Sequence, residues 1–431
     1  MSRRAYRTRP SNEGGSAIAA SAPKGLRLHI SLFGRRNVGK SSLLNAITRQ
    51  QVSIVSEHAG TTTDPVEKPM ELPPLGPVLF IDTAGIDDVG ELGELRAART
   101  RQVFDRTDLA LIVTDGQWGE FEQAILAECG RRDTPAIAVF TKSDVRVPPP
   151  EAAEELTERA LPWVACSALT GAGMAELREA LLQAAPADFI ENPIIVSDLV
   201  GPGGMAVLVI PIDKEAPKGR LILPQVQAIR DLLDGDAMCV VTKEVSLRDA
   251  LARLTEPPKL VVTDSQAFAT VAKDTPPEIP MTSFSILYAR FKGDLAAQVE
   301  GALAVDGLLP GDRVLVAEAC THHPIEDDIG RVKIPRWLNE RVGGPLRFDT
   351  VQGHDFPEDL SPYKLVIHCG ACMWNRRAVL NRILRCREAG VPITNYGVVI
   401  AHSLGILERA VAPFPAAREV LAARKRHSMA E

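Results

Sequence analysis

The run Leu26-Arg27-Leu28-His29-Ile30-Ser31-Leu32-Phe33 leads straight into Gly34-Arg35-Arg36-Asn37-Val38-Gly39-Lys40-Ser41, and Ser42-Leu43-Leu44-Asn45-Ala46-Ile47 follows without a break. Alternating apolar residues, then glycines, then a helical pattern predict a strand, a tight loop and a helix. In that context the glycines let backbone N–H groups close around phosphate oxygens at the positive end of the helix. Lys40 is placed to reach the outer phosphates of a nucleotide, and the Ser41 hydroxyl to bind magnesium. The candidate phosphate-contacting residues are therefore Gly34, Asn37, Val38, Gly39, Lys40, Ser41 and Ser42.

Four further stretches follow in the order that a nucleotide switch requires. Gly60-Thr61-Thr62-Thr63-Asp64 has the spacing of a first switch, where a threonine closes on magnesium and the terminal phosphate, so Thr61 and Thr62 join the candidates. Val78-Leu79-Phe80-Ile81 reads as a buried strand ending in Asp82-Thr83-Ala84-Gly85; Asp82 would hold magnesium through water, and the Gly85 amide would sense the same phosphate. Leu109 to Val113 and Ala136 to Phe140 are two more apolar strands, and the second delivers Thr141-Lys142-Ser143-Asp144. The Asp144 carboxylate can pair with the N1 and N2 donors of guanine, which selects GTP over ATP. Val164 to Ala168 supplies the last base-contacting loop, with Ser167 and Ala168.

Together these elements resemble the GTPases of the Era and TrmE class over residues 26 to about 187. Thr141 stands where that family usually has Asn, which predicts a weaker brace behind the base loop while Asp144 keeps its role. In members activated by potassium, the asparagine matching Asn37 coordinates that ion beside the phosphates, so the resemblance implies potassium activation; the plainer reading is a loop-capping asparagine. Ile86 occupies the position of the water-orienting glutamine of Ras-like proteins, and a hydrophobe cannot polarise water, so slow hydrolysis is expected. Glu94 resembles the distant acid that positions water in TrmE-type enzymes, although Asp87, Asp88, Glu91 and Glu94 also read as solvated loop acids. The candidate catalytic residues are Lys40, Thr62, Gly85 and Glu94; Ser41, Thr62 and Asp82 are the candidate magnesium ligands.

The chain has 431 residues, of which 45% are apolar, enough for several packed cores. Its net charge of −6 argues against a general nucleic-acid binder. Apolar runs fall short of the roughly 20 residues needed to cross a bilayer, and a secretory core is missing near the start, so no membrane association and a cytoplasmic location are expected. Seven cysteines, three in one motif, suit metal ligation in a reducing compartment better than a disulfide framework. Residues 1–24, with Arg3, Arg4, Arg7 and Arg9, read as a disordered tail, with an organellar transit peptide as the alternative. A GTPase unit is expected over 25–187, and a small α/β dimerisation unit over 192–273, with strands at Ile194–Val196, Met205–Ile210, Met238–Thr242 and Lys259–Val262. A parallel α/β unit is expected over 280–431, with strands at Phe284–Ala289, Val314–Ala317, Leu365–Ile367 and Pro392–Thr394. The fold class is α/β throughout.

The last unit carries Cys320-Thr321-His322 and, 45 residues on, His368-Cys369-Gly370-Ala371-Cys372. Three thiolates and two imidazoles suit zinc or an iron-sulfur cluster and not magnesium or calcium. Each half follows a predicted strand directly, and ligands gather at the carboxyl ends of parallel strands, so the two halves are expected to form one site. Zinc would be satisfied by four of these donors, whereas a cubane takes three thiolates and leaves one iron for an exchangeable ligand. Trp374 to Arg387 is expected to form a helix whose arginines make either a positive surface or a solvated face. Cys129, Cys166, Cys239 and Cys386 read as buried small hydrophobes, and His354 and His402 as structural.

With the GTPase ahead of it, Cys-x-His-x45-His-Cys-x-x-Cys resembles the signature of the FeFe-hydrogenase maturation GTPases of the HydF type across nearly the whole chain. The resemblance implies a 4Fe–4S cluster held by Cys320, Cys369 and Cys372. Its fourth position is open or taken by His322, His323, His368, Glu326 or Asp327; the histidines may be read equally as orienting neighbours. It also implies a homodimeric or tetrameric scaffold that receives a diiron subcluster from radical-SAM maturases and delivers it to apo FeFe-hydrogenase. The competing reading is a potassium-dependent GTPase in tRNA modification or ribosome assembly with a structural zinc; the acidic balance and the lack of basic, aromatic-rich motifs count against it.

Overall fold

The computed structural model describes residues 22–48, 65–83, 100–186, 189, 194–212, 219–319 and 328–428, and contains three parallel-rich sheets. The first orders six strands β2-β3-β1-β4-β5-β6, namely β1 (Leu28–Phe33), β2 (Val66–Leu72), β3 (Gly76–Asp82), β4 (Leu109–Thr114), β5 (Ala136–Phe140) and β6 (Trp163–Ala165). β1, β4 and β5 are buried along their whole length. Parallel strands covered by helices on both faces read as unbroken apolar runs, which is why these three were visible in the sequence. Leu28, Ile30 and Leu32 meet Leu43 and Leu44 of helix Lys40–Thr48 and Leu177 of helix Met174–Ala184; Phe33 joins Ile125 and Cys129 of helix Glu120–Arg131 on the opposite face. β2 was not expected. It pairs antiparallel with β3 at the sheet edge, and its Val-Glu-Lys-Pro-Met-Glu-Leu sequence is only half-buried.

The second sheet, ordered β10-β9-β7-β8, joins β7 (Met205–Val209), β8 (Met238–Thr242), β9 (Leu260–Thr263) and β10 (Met281–Ser283), all parallel. Ile194–Val196, expected as a strand, lies outside the sheet: the Asp231 carboxylate accepts the backbone N–H groups of Ile195, Val196 and Ser197 and turns the chain into a short helix. β10 places residues beyond the proline-rich connection in this second sheet. Phe284–Lys292, expected as a strand up to Ala289, is a helix capped by the Ser283 hydroxyl, which accepts from the Ile286 N–H. Seven of its nine residues are buried, so its apolar run is helical core with no strand alternation.

The third sheet, ordered β12-β11-β13-β14, is wholly parallel: β11 (Arg313–Glu318), β12 (Arg347–Gln352), β13 (Leu365–His368) and β14 (Ile393–Asn395). β12, an edge strand with half-exposed Arg-Phe-Asp-Thr-Val-Gln, had no apolar run to announce it. The second and third units share a core in which Phe284 and Leu287 pack with Val398, Leu407 and Phe414.

The first and third units also meet. Asn375 Nδ2 donates to the Arg106 carbonyl and to Asp108 Oδ2, at 2.8 and 3.0 Å, and Asn381 Nδ2 to the Asp105 carbonyl at 2.7 Å. A Cβ on Gly25 would stand 2.5 Å from the Trp374 carbonyl oxygen, so the close approach of the two units there requires glycine. His29 lies in the same seam, its ring nitrogens 3.1 Å from the Arg106 and Lys24 carbonyls. Burial, reinforced by the Arg106 charge, lowers its pKa from 6.5 to about 3. The unfolded chain binds that proton more readily, so stability is complete above about pH 6.5 and falls as the pH drops towards 3. Replacing His29 with Gln is expected to remove about 2 kcal/mol from the stability difference between pH 6.5 and 5, measured by denaturant unfolding at both pH values; an unchanged difference would contradict this.

Candidate functional site

Both candidate sites sit at carboxyl ends of strands. At the end of β1, Gly34 packs so tightly under β4 that a Cβ would stand 2.2 Å from the Val113 carbonyl oxygen. Lys40, buried at the start of its helix, directs Nζ back over the loop to the Gly34 and Arg35 carbonyls at 2.8 and 2.7 Å. Ser41 Oγ lies 2.6 Å from Asp82 Oδ2, so two of the three expected magnesium ligands are brought together from β1 and β3. The parallel pairing of Leu32 with Asp82 fixes that meeting. Thr61, Thr62, Gly85 and Glu94 lie outside the described residues, as does Ile86.

The base loop is tied to the phosphate loop through both Thr141 and Lys142. Thr141 Oγ1 bonds the Val38 carbonyl and lies 3.1 Å from the Thr114 carbonyl, so the threonine supplies a brace that its replacement of Asn was expected to weaken. Lys142 Nζ donates to the Asn37 carbonyl at 2.9 Å and to Asp115 at 3.0 Å. Asn37 holds φ +59 and presents an exposed side chain. Asp144 is exposed; Ser143 N–H donates to the Cys166 carbonyl, which brings buried Ser167 and neighbouring Ala168 beside it. Val38 is buried behind the loop, and Gly39 has φ +99.

In the third unit the register places Ala317 of β11 opposite His368 of β13. The two donor-bearing strand ends are therefore neighbours. Cys369 Sγ accepts the Ala319 N–H at 3.0 Å and the Ala371 N–H at 3.5 Å. Ala319 directly precedes Cys320, which lies outside the described residues together with His322, His323, Glu326 and Asp327. Among the described residues, no three His, Cys, Asp or Glu side chains converge as a metal site. Burial raises the Cys369 pKa, and the two N–H donors only partly oppose this. A sulfur that is buried and also solvated by amides is suited to a thiolate whose charge is matched by a metal.

His368 is buried with both ring nitrogens engaged: Nδ1 donates to the Cys369 carbonyl at 2.7 Å, and Nε2 accepts from Arg382 Nη1 at 3.0 Å. A carbonyl on one side and a guanidinium on the other decide the tautomer. In this arrangement neither nitrogen is turned to a metal. Burial and the Arg382 charge lower the His368 pKa to about 3. Arg382 lies over the rings of Trp374 and Phe356, and Trp374 stacks on His354 at 4.9 Å.

Four of the five helix arginines act as staples, while Arg387 is exposed beside Asp294. Arg376 donates to the Phe291 and Gly293 carbonyls, Arg377 to that of Arg132 and Arg385 to that of Pro357. Cys386 is buried on the apolar face, as are Cys129 and Cys166 within the first unit, while His402 pairs with Asp306. Lys292 was missed in the sequence because it lies just beyond Phe284–Ala289, the segment read as a strand. It is buried, and its Nζ donates to the carbonyls of Ala371, Cys372 and Trp374, gripping the loop that carries both cysteines. A lysine closing the largely apolar Phe284–Lys292 was its sequence signal.

The fold and the nucleotide site define a GTPase of the phosphate-loop class with two further α/β units. Residues 29–142 match the family model described as "50S ribosome-binding GTPase", 195–293 the "Hydrogen maturase F dimerization domain" and 296–413 the "Hydrogen maturase F tetramerization domain". The chain belongs to the hydrogen maturase F family. The tRNA modification GTPases that the chain resembles match it in the GTPase unit. The tRNA modification GTPase MnmE of Heliobacterium modesticaldum is 38% identical over 156 residues, 34% of this chain and 32% of that protein, and MnmE of Nitrosomonas europaea is 35% identical over 161 residues, 37% and 35%. The chain thus spans about a third of the length of the curated relatives it matches. Among solved structures, Era from Aquifex aeolicus is 22% identical with a TM-score of 0.34, covering 50% of this chain and 93% of that one. No helix among the described residues is long and apolar enough to cross a membrane.

Replacing Lys292 with Met removes a donor from three carbonyls; that of Ala371 keeps the Trp374 N–H, and each of the others left unsatisfied costs about 1–3 kcal/mol. Amide exchange at Ala371 and its neighbours is expected to accelerate at least about tenfold while β13 stays protected; equal exchange in the variant would rule out the clamp.

Proposed function

We propose that the chain is a GTP-controlled scaffold that binds a 4Fe–4S cluster through Cys320, Cys369 and Cys372 and carries a diiron subcluster from radical-SAM maturases to apo FeFe-hydrogenase. The observation that carries this reading is the adjacency of β11 and β13, which sets Cys369 Sγ on the N–H of the residue before Cys320. When bound, the cluster supplies an iron whose fourth position can take an exchangeable ligand. The chain's own residues do the rest: Ala319 and Ala371 amides solvate the sulfur, Lys292 holds the loop, and Arg382 keeps His368 against the Cys369 carbonyl. His368 is already engaged on both sides, which leaves His322, Glu326 and Asp327 as the candidates for the exchangeable ligand.

On the nucleotide side, Lys40, Ser41 and Asp82 hold the magnesium nucleotide with Thr62 and Gly85, Asp144 selects guanine, and intrinsic turnover is slow. The Asn37 side chain, exposed beside the phosphate loop, binds potassium. The names of the two C-terminal family models support self-association, and edge strand β8, with Met238 and Val241 half-exposed, is suited to meet a second copy in the cytoplasm.

Purified without oxygen, the chain is expected to be brown with about four irons, lost in Cys369→Ala; a colourless protein holding one zinc would defeat the cluster reading. GTP turnover is expected to be faster in potassium than in sodium at equal ionic strength, with the difference abolished in Asn37→Ala. Equal rates in the native chain would remove the potassium site.

A further inference from the structure

One side chain joins the GTPase unit to the end of the cysteine loop. Asn375 is buried and caps helix Arg376–Glu388 through Oδ1, which accepts the Ala378 N–H, while its Nδ2 crosses to the Arg106 carbonyl and Asp108 Oδ2. It lies three positions after Cys372 and directly after Trp374, whose carbonyl Lys292 holds. The cysteine loop is thus fixed at one end by the third unit itself and at the other by the GTPase unit.

The GTPase residues that Asn375 touches are where both switches return to the sheet. The chain that leaves the second switch, Asp82 to Gly85 and onward, re-enters as helix 100–104 and ends at Arg106 and Asp108 before β4. The chain that leaves the first switch re-enters as β2, whose Glu67 bonds Arg106 Nη1 and Lys24 Nζ. Although burial alone would raise it, the Lys24 hydrogen bond and the Arg106 charge hold the Glu67 carboxylate below the usual range. Asp108 Oδ2 also accepts the His29 N–H from β1. A shift of either returning segment therefore reaches Arg106 and Asp108, and packed interiors pass on such shifts instead of absorbing them.

We propose that Asn375 is a positioning residue that couples the nucleotide state of the GTPase unit to the Cys369–Cys372 loop, so that GTP binding and cluster binding change each other's strength. This rests on the cluster reading above. Coupling of two sites is reciprocal, so it can be read from either end.

The test uses the full chain, apo and reconstituted anaerobically with ferrous iron and sulfide, titrated with a fluorescent non-hydrolysable GTP analogue. In the native chain the two affinities are expected to differ by about fivefold or more. Asn375→Ser keeps a helix-capping oxygen but is too short to reach Asp108. In this variant the ratio is expected to fall at least threefold towards one, while affinity in the apo chain and iron content stay native. Asn375→Asp, which keeps the cap and sets a carboxylate against Asp108, is the second variant should the first lose iron, and the same loss of coupling is expected. A native ratio of one, or a ratio that survives in the variant that holds iron, overturns the coupling alone. A native chain that binds no iron overturns the cluster reading and the coupling with it.

Discussion

The parallel pairing of β11 with β13 is the constraint on which the candidate metal site depends. Strands paired in parallel end on the same edge, so the residues that leave them are forced together however long the intervening chain. Here Ala317 lies opposite His368, and the consequence is a hydrogen bond from the backbone just before Cys320 to the sulfur of Cys369. The same constraint operates in the first sheet, where Leu32 opposite Asp82 brings Ser41 and Asp82 within a hydrogen bond. Two sites of unlike chemistry are thus built by one geometric rule.

Buried and half-buried cations do much of the remaining positioning. Lys292, Arg376, Arg377, Arg382 and Arg385 direct their N–H groups to backbone carbonyls of loops and helix ends, or to an imidazole, and not to solvent. Carbonyls at loop and helix ends otherwise lack partners, and leaving them unpaired in a dry interior is costly. The cations therefore fasten the cysteine loop, helix Arg376–Glu388 and the GTPase unit into one continuous packing. That continuity gives the nucleotide site a physical route to the cysteines, through Arg106, Asp108 and Asn375.

Legibility in the sequence followed apolar runs, which mark most buried strands and also the half-exposed edge β8. β1, β4, β5, β9, β11 and β13 are central or covered strands, and their unbroken apolar runs identified them. β2 and β12 mix polar and apolar residues and β10 is only Met-Thr-Ser, so none of them showed a run. Phe284–Lys292 misled for the opposite reason: a helix buried nearly all round has no alternation to distinguish it from a strand. Arg382 was legible as a basic residue but not as the partner of His368, because nothing in its neighbours records what it faces across 14 positions.

By itself, the sequence determined the chemistry of the chain. The phosphate loop, the Thr141-Lys142-Ser143-Asp144 loop and the Cys-Gly-Ala-Cys turn are each confined to a few consecutive residues, where spacing alone decides which atoms can act together. Only the tertiary structure decided how these pieces are supported and joined. Thr141 braces the phosphate loop, Lys292 grips the cysteine loop, His368 is turned onto Arg382, and Asn375 reaches Asp108 across 267 positions. Such contacts follow from strand register and from the packing of units against one another, which residues distant in sequence acquire only when the chain is folded.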